Sequence, residues 1–240
     1  MDVSTKESKS AQPSDGINVA WPDVVRFIRQ VSHDLRNQLN AVELQSAFLS
    51  ELATDEEIKE EIKRLRKMVS ECGAALQKLS TRLSPPAPNF TDYGAADFIE
   101  DLKAKVSSEF PKHASAIAWK IETGKESANI DPQSLQDALL ELFRNAFEHL
   151  NEGASIDFIA RTESDNLVLT LYEPKPEFAL GTEQWGREPL RHVNRGHYGL
   201  GLNRARTIIE GHGGKLNAQY DSTGSRLITN VTLPLGSGAK

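Results

Sequence analysis

The sequence lacks most of the features that mark secreted, membrane-bound or nucleic-acid-binding proteins. It has one cysteine, Cys72, so it can form no internal disulfide, and one thiol cannot build a zinc site alone. No apolar run approaches the ~18 residues of a membrane-spanning helix, and residues 1–16 have no apolar core of a signal peptide. The net charge of −6 is spread along the chain and gives no reason to expect a nucleic acid or an anionic membrane as a partner. We therefore expect a cytoplasmic protein without a membrane span, so that any membrane-bound sensor is a separate chain.

Proline and glycine are unevenly distributed, and their distribution predicts the domain organisation. Residues 1–20 are mostly small and polar, which is typical of a disordered tail. Residues 23–83 contain no proline and a single glycine, whereas residues 84–88 read Ser-Pro-Pro-Ala-Pro. Because proline-rich stretches end helices and mark linkers, we predict a helical domain over 21–84 and a second domain over 89–236.

The first domain has the apolar periodicity of two amphipathic helices. Steps of three and four separate Val24, Ile28, Val31, Leu35, Leu39, Val42 and Leu49, with a gap at Ser46, and then Ile58, Ile62, Leu65, Val69, Cys72, Leu76, Leu79 and Leu83. Thr54 followed by Glu57 predicts a capping box that starts the second helix. Two helices joined by a short turn form an antiparallel hairpin. Such a hairpin covers both stripes only when a second copy completes a four-helix bundle, so we predict a homodimer.

The second domain alternates between strand and helix patterns. Strands are predicted near 90–93, 116–122, 154–161, 166–173, 215–220 and 225–233, and helices over 95–109, from Asp131 to about 151, and over about 200–211. Mixed strands with helices on one face predict an α/β sandwich. The chain as a whole is therefore expected to have an α+β fold.

The first motif with chemical potential is Ser32-His33-Asp34-Leu35-Arg36-Asn37-Gln38-Leu39. At 100° per residue, His33 lies roughly opposite Val31 and Leu35 and should face water. One nitrogen of an exposed imidazole can attack a phosphoryl group while a neighbouring carboxylate, here Asp34, holds the proton of the other. An ordinary surface histidine on a polar helix face fits this segment as well.

The second motif lies on the helix predicted after Asp131. Glu141, Asn145 and Glu148 occur at i, i+4 and i+7 and so share one stripe. Amide and carboxylate oxygens on one stripe can bind Mg²⁺, which prefers oxygen ligands and keeps several waters. A solvated helix face is the alternative.

The third motif is glycine-rich and opens the next helix. It reads Gly-His-Tyr-Gly-Leu-Gly-Leu over 196–202, and Gly211-His212-Gly213-Gly214 follows after eight residues. Glycine lets the backbone approach a phosphate closely, and the free amides of a helix N-terminus favour anions. A flexible glycine-rich loop without a ligand is the alternative.

In this order and at these separations, the three motifs resemble those of the sensor histidine kinases of two-component systems. SHDLRNQLN is similar to their phosphoacceptor box. ELFRNAFEH is similar to their N-box, which gyrase and the Hsp90 chaperones share, and GLGL with the later HGG is similar to their G2 box. The resemblance implies that His33 is phosphorylated, that Asp34 is its general base, and that Asn37 orients water for dephosphorylation of a partner.

The same resemblance implies that residues 89–236 are a catalytic ATP-binding domain with ATP and Mg²⁺ as cofactors. Asn145 would be the magnesium ligand, with Glu141 supporting it. The nucleotide-binding residues would be Glu141, Asn145, His149, Glu173, Gly199, Leu200, Gly201 and Leu202. The long irregular stretch over 174–198 would form the lid over the nucleotide. In this lid, Arg187, Arg191 and Arg195 are candidates for phosphate contacts, and Trp185 is either a packing anchor or an adenine contact.

The sequence departs from the family pattern at three places. Gln38 stands where a proline is usual, and Glu148 stands where a lysine is common. The Asp-x-Gly-x-Gly segment that precedes the lid is replaced by Glu-Pro-Lys-Pro-Glu over 173–177. Glu173 can stand in for the aspartate that binds adenine, but Pro174 and Pro176 prevent the usual backbone path.

These patterns favour a histidine kinase that autophosphorylates from ATP and passes the phosphoryl group to an aspartate in the receiver domain of a response regulator. A histidine phosphotransferase with a degenerate ATP-binding domain, which shuttles phosphate between response regulators, is the main alternative. A non-catalytic dimeric adaptor that senses nucleotide or a partner is the third hypothesis.

Overall fold

The structure is a computed structural model that describes residues 19–178, 181–182, 185–190 and 199–236. The chain divides after Thr81 into two compact units.

The first unit contains helix α1 (Trp21–Leu52) and helix α2 (Glu56–Leu83) up to Thr81, and the last two residues of α2 belong to the second unit. Pro22 lies in the first turn of α1, where its missing N–H costs no hydrogen bond. The predicted capping box is wrong by one residue, because Asp55 and not Thr54 caps α2. Asp55 Oδ1 accepts hydrogen bonds from the N–H groups of Glu57 at 2.8 Å and Ile58 at 3.4 Å, and a carboxylate also gains from the positive end of the helix dipole.

The apolar stripe of α1 is only partly covered within one chain. The buried residues of α1 are Ser32 and Ser46, each 2% exposed. Ser46 was the gap in the apolar pattern, and its hydroxyl donates to the carbonyl of Val42 at 2.6 Å, so its burial leaves no hydrogen bond unmade. By contrast, Leu35 and Val42 are each 42% exposed. A second copy would cover them, and the homodimer stays a prediction.

The second unit contains the remaining helices and strands. They are β1 (Thr91–Gly94), α3 (Ala95–Glu109), a short 3₁₀ turn (Ala114–Ala116), β2 (Ile117–Glu122), β3 (Ser127–Ile130), α4 (Pro132–Glu148), β4 (Ile156–Glu163), β5 (Asn166–Pro174), α5 (Gly201–Gly211), β6 (Lys215–Asp221) and β7 (Arg226–Pro234). Five strands form one sheet in the order β2-β4-β5-β7-β6, in which β2 and β4 are parallel and the other pairs antiparallel. The sequence analysis missed β3, which pairs with β1.

One apolar core lies between the helices and this sheet. Helix residues such as Phe98, Leu139 and Ile208 and strand residues such as Phe158 and Leu169 are 0–2% exposed and belong to one cluster. The predicted α+β fold, with a helical N-terminal part followed by helices packed on a mixed sheet, is confirmed.

His212 connects the end of α5 to the start of α4. It is 5% exposed, and its Nδ1 lies 2.7 Å from the carbonyl oxygen of Ile208, so Nδ1 carries the proton. Nε2 accepts a hydrogen bond from the backbone N–H of Asp131 at 3.0 Å. The Asp131 carboxylate in turn caps α4, accepting from the N–H groups of Gln133 and Ser134. The His-Gly-Gly turn therefore connects the two helices through the hydrogen bonds of His212.

Candidate functional site

His33 lies on the water-facing side of α1, as predicted. Its side chain is 65% exposed and that of Asp34 is 59% exposed. The periodicity of α1 determines this orientation, because His33 lies away from both the buried serines and the exposed apolar stripe.

The ring nitrogens of His33 have different surroundings. Nδ1 lies 3.3 Å from Asp34 Oδ1 and 3.4 Å from Asn37 Nδ2. A carboxylate can only accept a hydrogen bond and an amide N–H can only donate one, so the two contacts cannot both be hydrogen bonds. In the tautomer with the proton on Nδ1, the ring donates to Asp34, which is the nearer of the two partners. The lone pair then lies on Nε2, which has no partner among the described residues. The structure thus brings together three residues that the sequence singled out.

Gln30 is a neighbour of this site that the sequence analysis missed. Its side-chain Nε2 donates to Asp34 Oδ1 at 2.9 Å, which holds the carboxylate beside the imidazole. Its position four residues before Asp34 was the available signal, since i and i+4 side chains meet on a helix.

Helix α4 presents Glu141 and Asn145 on one side. Asn145 is half-buried, and its amide has no hydrogen-bond partner in the described part of the chain. His149 follows at the end of the helix and is exposed; its backbone N–H contacts the carbonyls of Ala146 and Phe147. Glu148 is exposed.

The Glu141 carboxylate accepts hydrogen bonds from two arginines and lies close to the start of α5. Oε1 accepts from Arg82 at 2.9 Å and also from Arg144. A Cβ added to Gly201 would lie only 2.5 Å from Oε2, so Glu141 lies against the first residue of α5. The structure thus brings the second and third motifs together. Arg82 was not predicted, because no local pattern relates residues 59 apart.

The segment before α5 has the features expected of an anion-binding helix start. Gly199 has φ +62°, a conformation that favours glycine, and Leu200 is 3% exposed and anchors the segment in the core. No side chain caps the first turn, which begins at Gly201, so its amides can bind an anion. Leu202 packs against the core. Gly196, His197 and Tyr198 of this motif, with Arg191 and Arg195, lie outside the described residues.

Glu173 is a buried carboxylate at the end of β5. Glu173, Leu171 and Leu169 are two residues apart along the strand, so Glu173 faces the same side of the sheet as the apolar core. Glu173 is 3% exposed, its Oε2 has no hydrogen bond, and the nearest cation, Lys175 Nζ, is 3.8 Å away. Burial raises the pKa of Glu173 to about 7, although Lys175 opposes the shift. Burial lowers the pKa of Lys175, which Glu173 opposes.

The proline-containing segment after Glu173 has a fixed path. The backbone N–H of Lys175 donates to the carbonyl of Ser225 at 2.8 Å. The hydroxyl of Tyr220 lies 3.0 Å from the carbonyl oxygens of both Lys175 and Pro176. Phe178 then packs against the Tyr220 ring at 5.8 Å.

Trp185 and the start of the lid are packed on α5. The Trp185 ring lies 5.7 Å from that of Phe178. Arg206, which is 7% exposed, donates to the Trp185 carbonyl at 2.9 and 2.6 Å. Asn203 donates to the carbonyls of Gly186 and Arg187. The Trp185 ring thus packs against Phe178, while its buried Nε1 has no hydrogen-bond partner among the described residues. The Arg187 side chain is exposed. Arg206 and Asn203 were not predicted, because their partners lie in a distant loop.

The residues present fit an adenine nucleotide with a magnesium ion. The fit rests on the unpartnered amide of Asn145, the uncapped start of α5 at Gly201 and the unpartnered carboxylate oxygen of Glu173. Within the described residues, no group of three or more His, Cys, Asp or Glu side chains could bind a metal. The oxygen of an amide such as that of Asn145 can hold Mg²⁺ together with phosphate oxygens and waters, which is how this ion is commonly bound.

The chain is similar to known sensor kinases. No family model matches the chain. The probable sensor kinase SilS of Salmonella typhimurium is 25% identical over 219 residues, which are 85% of this chain and 44% of SilS. Further curated relatives at similar identity are also sensor kinases. The chain thus spans less than half of the length of SilS.

Solved structures share the fold. ShkA in complex with AMPPNP has a TM-score of 0.64 at 17% identity, covering 90% of this chain and 47% of ShkA. The histidine kinase ThkA in complex with the response regulator TrrA has a TM-score of 0.53 at 18% identity, covering 87% of this chain and 61% of that one. Across the described residues, no helix combines the length and apolar character needed to span a bilayer. The homologues of the chain are sensor histidine kinases, and the predicted resemblance is confirmed.

Proposed function

We propose that this homologue of the sensor histidine kinases is itself a cytoplasmic histidine kinase, which phosphorylates His33 from ATP and passes the phosphoryl group to a response-regulator aspartate. The observation that carries the proposal is the geometry at His33. An exposed imidazole has its Nδ1 beside a carboxylate at 3.3 Å, which leaves Nε2 as an accessible nucleophile.

The chemistry at His33 follows from this geometry. Nε2 attacks the γ-phosphorus, an N–P bond forms, and the bond from that phosphorus to the bridging oxygen of ADP breaks. The imidazole becomes cationic, and Asp34 stabilises the proton on Nδ1 or removes it. Gln30 keeps the Asp34 carboxylate in place. In the second transfer, an aspartate oxygen of the receiver attacks the phosphorus and the N–P bond breaks.

The nucleotide would be held in the second unit. The amides at the start of α5 would bind phosphate oxygens, Asn145 would hold Mg²⁺, and Glu173 would accept from the adenine amino group. When bound, the magnesium ion neutralises phosphate charge, and positioning provides most of the remaining catalysis.

The receiver domain has a candidate docking surface on α1. Leu44 and Phe48 are large apolar side chains that are 75% and 53% exposed. At 100° per residue they lie roughly 20° and 60° from His33, about 17 and 22 Å further along the helix. Exposed apolar side chains beside a reactive group mark a surface for protein partners. The complex of ThkA with TrrA supports a response regulator as the partner.

A labelling assay tests the kinase. Wild type and His33→Gln are incubated with Mg²⁺ and γ-labelled ATP, with Glu43→Gln, a change at another exposed residue of α1, as the control. Acid-labile, alkali-stable label is expected on wild type and the control only. Label that persists on His33→Gln would place the acceptor elsewhere.

The histidine phosphotransferase is the second candidate, because two prolines replace the glycines expected after Glu173. Asn145→Asp should abolish labelling by ATP but preserve transfer back from a phosphorylated receiver. Leu44→Asp should have the opposite effect. A wild type that accepts phosphate only from a receiver would favour the phosphotransferase, and loss of both reactions in Asn145→Asp would contradict the separate roles of the two units.

A further inference from the structure

We propose that Lys175 is a second residue that reads the nucleobase, acting with Glu173 as a paired hydrogen-bond donor and acceptor for adenine. The inference rests on the proposed function, since it specifies how the same nucleotide site selects its base. The family pattern places one carboxylate at this point, followed by glycines, and assigns no role to a lysine.

The first observation is that both groups are buried but incompletely paired. The side chain of Glu173 is 3% exposed and that of Lys175 is 14% exposed. Their closest approach, 3.8 Å between Glu173 Oε2 and Lys175 Nζ, is longer than a hydrogen bond. Oε2 has no other partner in the described structure. Because a buried carboxylate without hydrogen bonds is costly, a ligand that donates to Glu173 and accepts from Lys175 would satisfy both groups.

The second observation is the location of the pair. Glu173 follows Leu169 and Leu171 on the face of β5 that is covered by the helices. Asn145 on α4 and Gly201 on α5 belong to those helices and would hold the phosphate end of the nucleotide. A base-reading group at the end of β5 is therefore on the correct side of the sheet.

The third observation is that the backbone of residues 174–176 has no N–H group to offer a ligand. Pro174 and Pro176 have none, and the N–H of Lys175 donates to Ser225 at 2.8 Å. Contacts from the segment to a nucleotide must therefore come from side chains or carbonyls. Because Tyr220 bonds the carbonyl of Lys175 at 3.0 Å, the backbone that carries the ammonium group is held in place, which lowers the entropic cost of binding.

The chemistry of adenine fits this pair. Its 6-amino group is a donor that lies next to ring-nitrogen acceptors, and proteins commonly read the N6 and N7 atoms with one acceptor and one donor. Glu173 supplies the acceptor and Lys175 the donor. On the edge that contains N7, guanine has the acceptor O6 in place of the amino group, which a carboxylate would repel.

Binding of modified nucleotides to the full chain tests the inference. Isothermal titration calorimetry would compare ATP, GTP, 7-deaza-ATP and 1-deaza-ATP, each with wild type and Lys175→Met. Wild type should bind one of the deaza analogues roughly 10- to 100-fold more weakly than ATP, as expected for a lost hydrogen bond to a charged group. Lys175→Met should bind ATP with a similar loss and should no longer distinguish that analogue from ATP.

Matched variants make each outcome decisive. Lys215→Met removes an exposed lysine of β6 and should behave as wild type. Lys175→Gln keeps an N–H donor and should retain part of the discrimination, so it serves if Lys175→Met fails to fold. The inference is overturned if neither analogue binds more weakly than ATP, if GTP binds as tightly as ATP, or if Lys175→Met binds ATP more tightly. Absence of nucleotide binding by wild type would instead refute the proposed function.

Discussion

The buried carboxylate of Glu173 should make the stability of the second unit depend on pH, and Glu173→Gln should remove that dependence. Glutamine has nearly the same shape but cannot ionise. Burial raises the pKa of Glu173 from its ordinary value of 4.5 to about 7, so the folded protein binds this proton more tightly than the unfolded chain does.

The sign and size follow from proton linkage. Between about pH 4.5 and 7 the folded state holds more protons at this site than the unfolded state, so the free energy of unfolding falls as pH rises. The stabilisation is complete below the unfolded pKa and is lost as pH passes the folded pKa. Since one pKa unit corresponds to 1.36 kcal/mol, the shift amounts to roughly 3 kcal/mol.

Urea unfolding followed by tryptophan fluorescence measures this effect. A Trp21→Phe background removes the tryptophan of the first unit, so Trp119 and Trp185 report on the second. From pH 5 to 8, the stability of Glu173→Gln relative to its parent should increase by roughly 2.5 kcal/mol, while Glu163→Gln, at an exposed position, should show no such trend. A difference between Glu173→Gln and its parent that does not change with pH would refute the reasoning.

Three further substitutions test the contacts that hold the site. His212→Ala should lower the free energy of unfolding by about 2 kcal/mol or more, because it leaves the partly buried N–H of Asp131 without a partner. His149→Ala, at an exposed position, should change this free energy little. Equal effects of the two substitutions in urea unfolding would contradict the structural role of His212. Asp131→Ala should cost about 1–2 kcal/mol in the same assay through loss of the helix cap, and an unchanged midpoint would argue against the cap. Gly201→Ala would place a Cβ 2.5 Å from Glu141 Oε2, so the end of this side chain must move away from its arginine partners. ATP-dependent labelling should therefore fall a few-fold with an unchanged circular dichroism spectrum, and full labelling would show that this contact is dispensable.

Much of the fold could be predicted because it is encoded in local patterns. Helices α3 and α4 follow from their apolar spacing, and the start of α4 follows from Asp131 and Pro132. Strand β3 was missed because its sequence, Ser-Ala-Asn-Ile, has one β-branched residue and no aromatic residue, and pairing with β1 provides its order. The cap of α2 was misassigned because Thr54 and Asp55 are both good caps, and only the backbone conformation decides between them.

In the candidate site, too, the features set by local patterns were predictable, and those set by long-range packing were not. The exposure of His33 and its contact with Asp34 were predictable, because neighbours on one helix are related by its period. The burial of Glu173 was not predictable, since it depends on which helices cover the end of β5. Nor was the contact between Arg82 and Glu141, which joins residues 59 apart in the sequence.

The arginines around Glu141 also bear on the missing lysine of the N-box. Glu148 stands where related kinases often carry a phosphate-binding cation, and this side chain is exposed. Glu141, about two turns earlier, contacts Arg82 and Arg144. Burial lowers the pKa of Arg204, and the nearby carboxylates of Asp137 and Glu141 oppose this shift. Glu109 also accepts from Arg144 at 3.0 Å, so these three guanidinium groups lie near three carboxylates. Because their charges balance, the arginines do not by themselves replace the charge that the lysine would have supplied, and a triphosphate would depend on the amides at the start of α5.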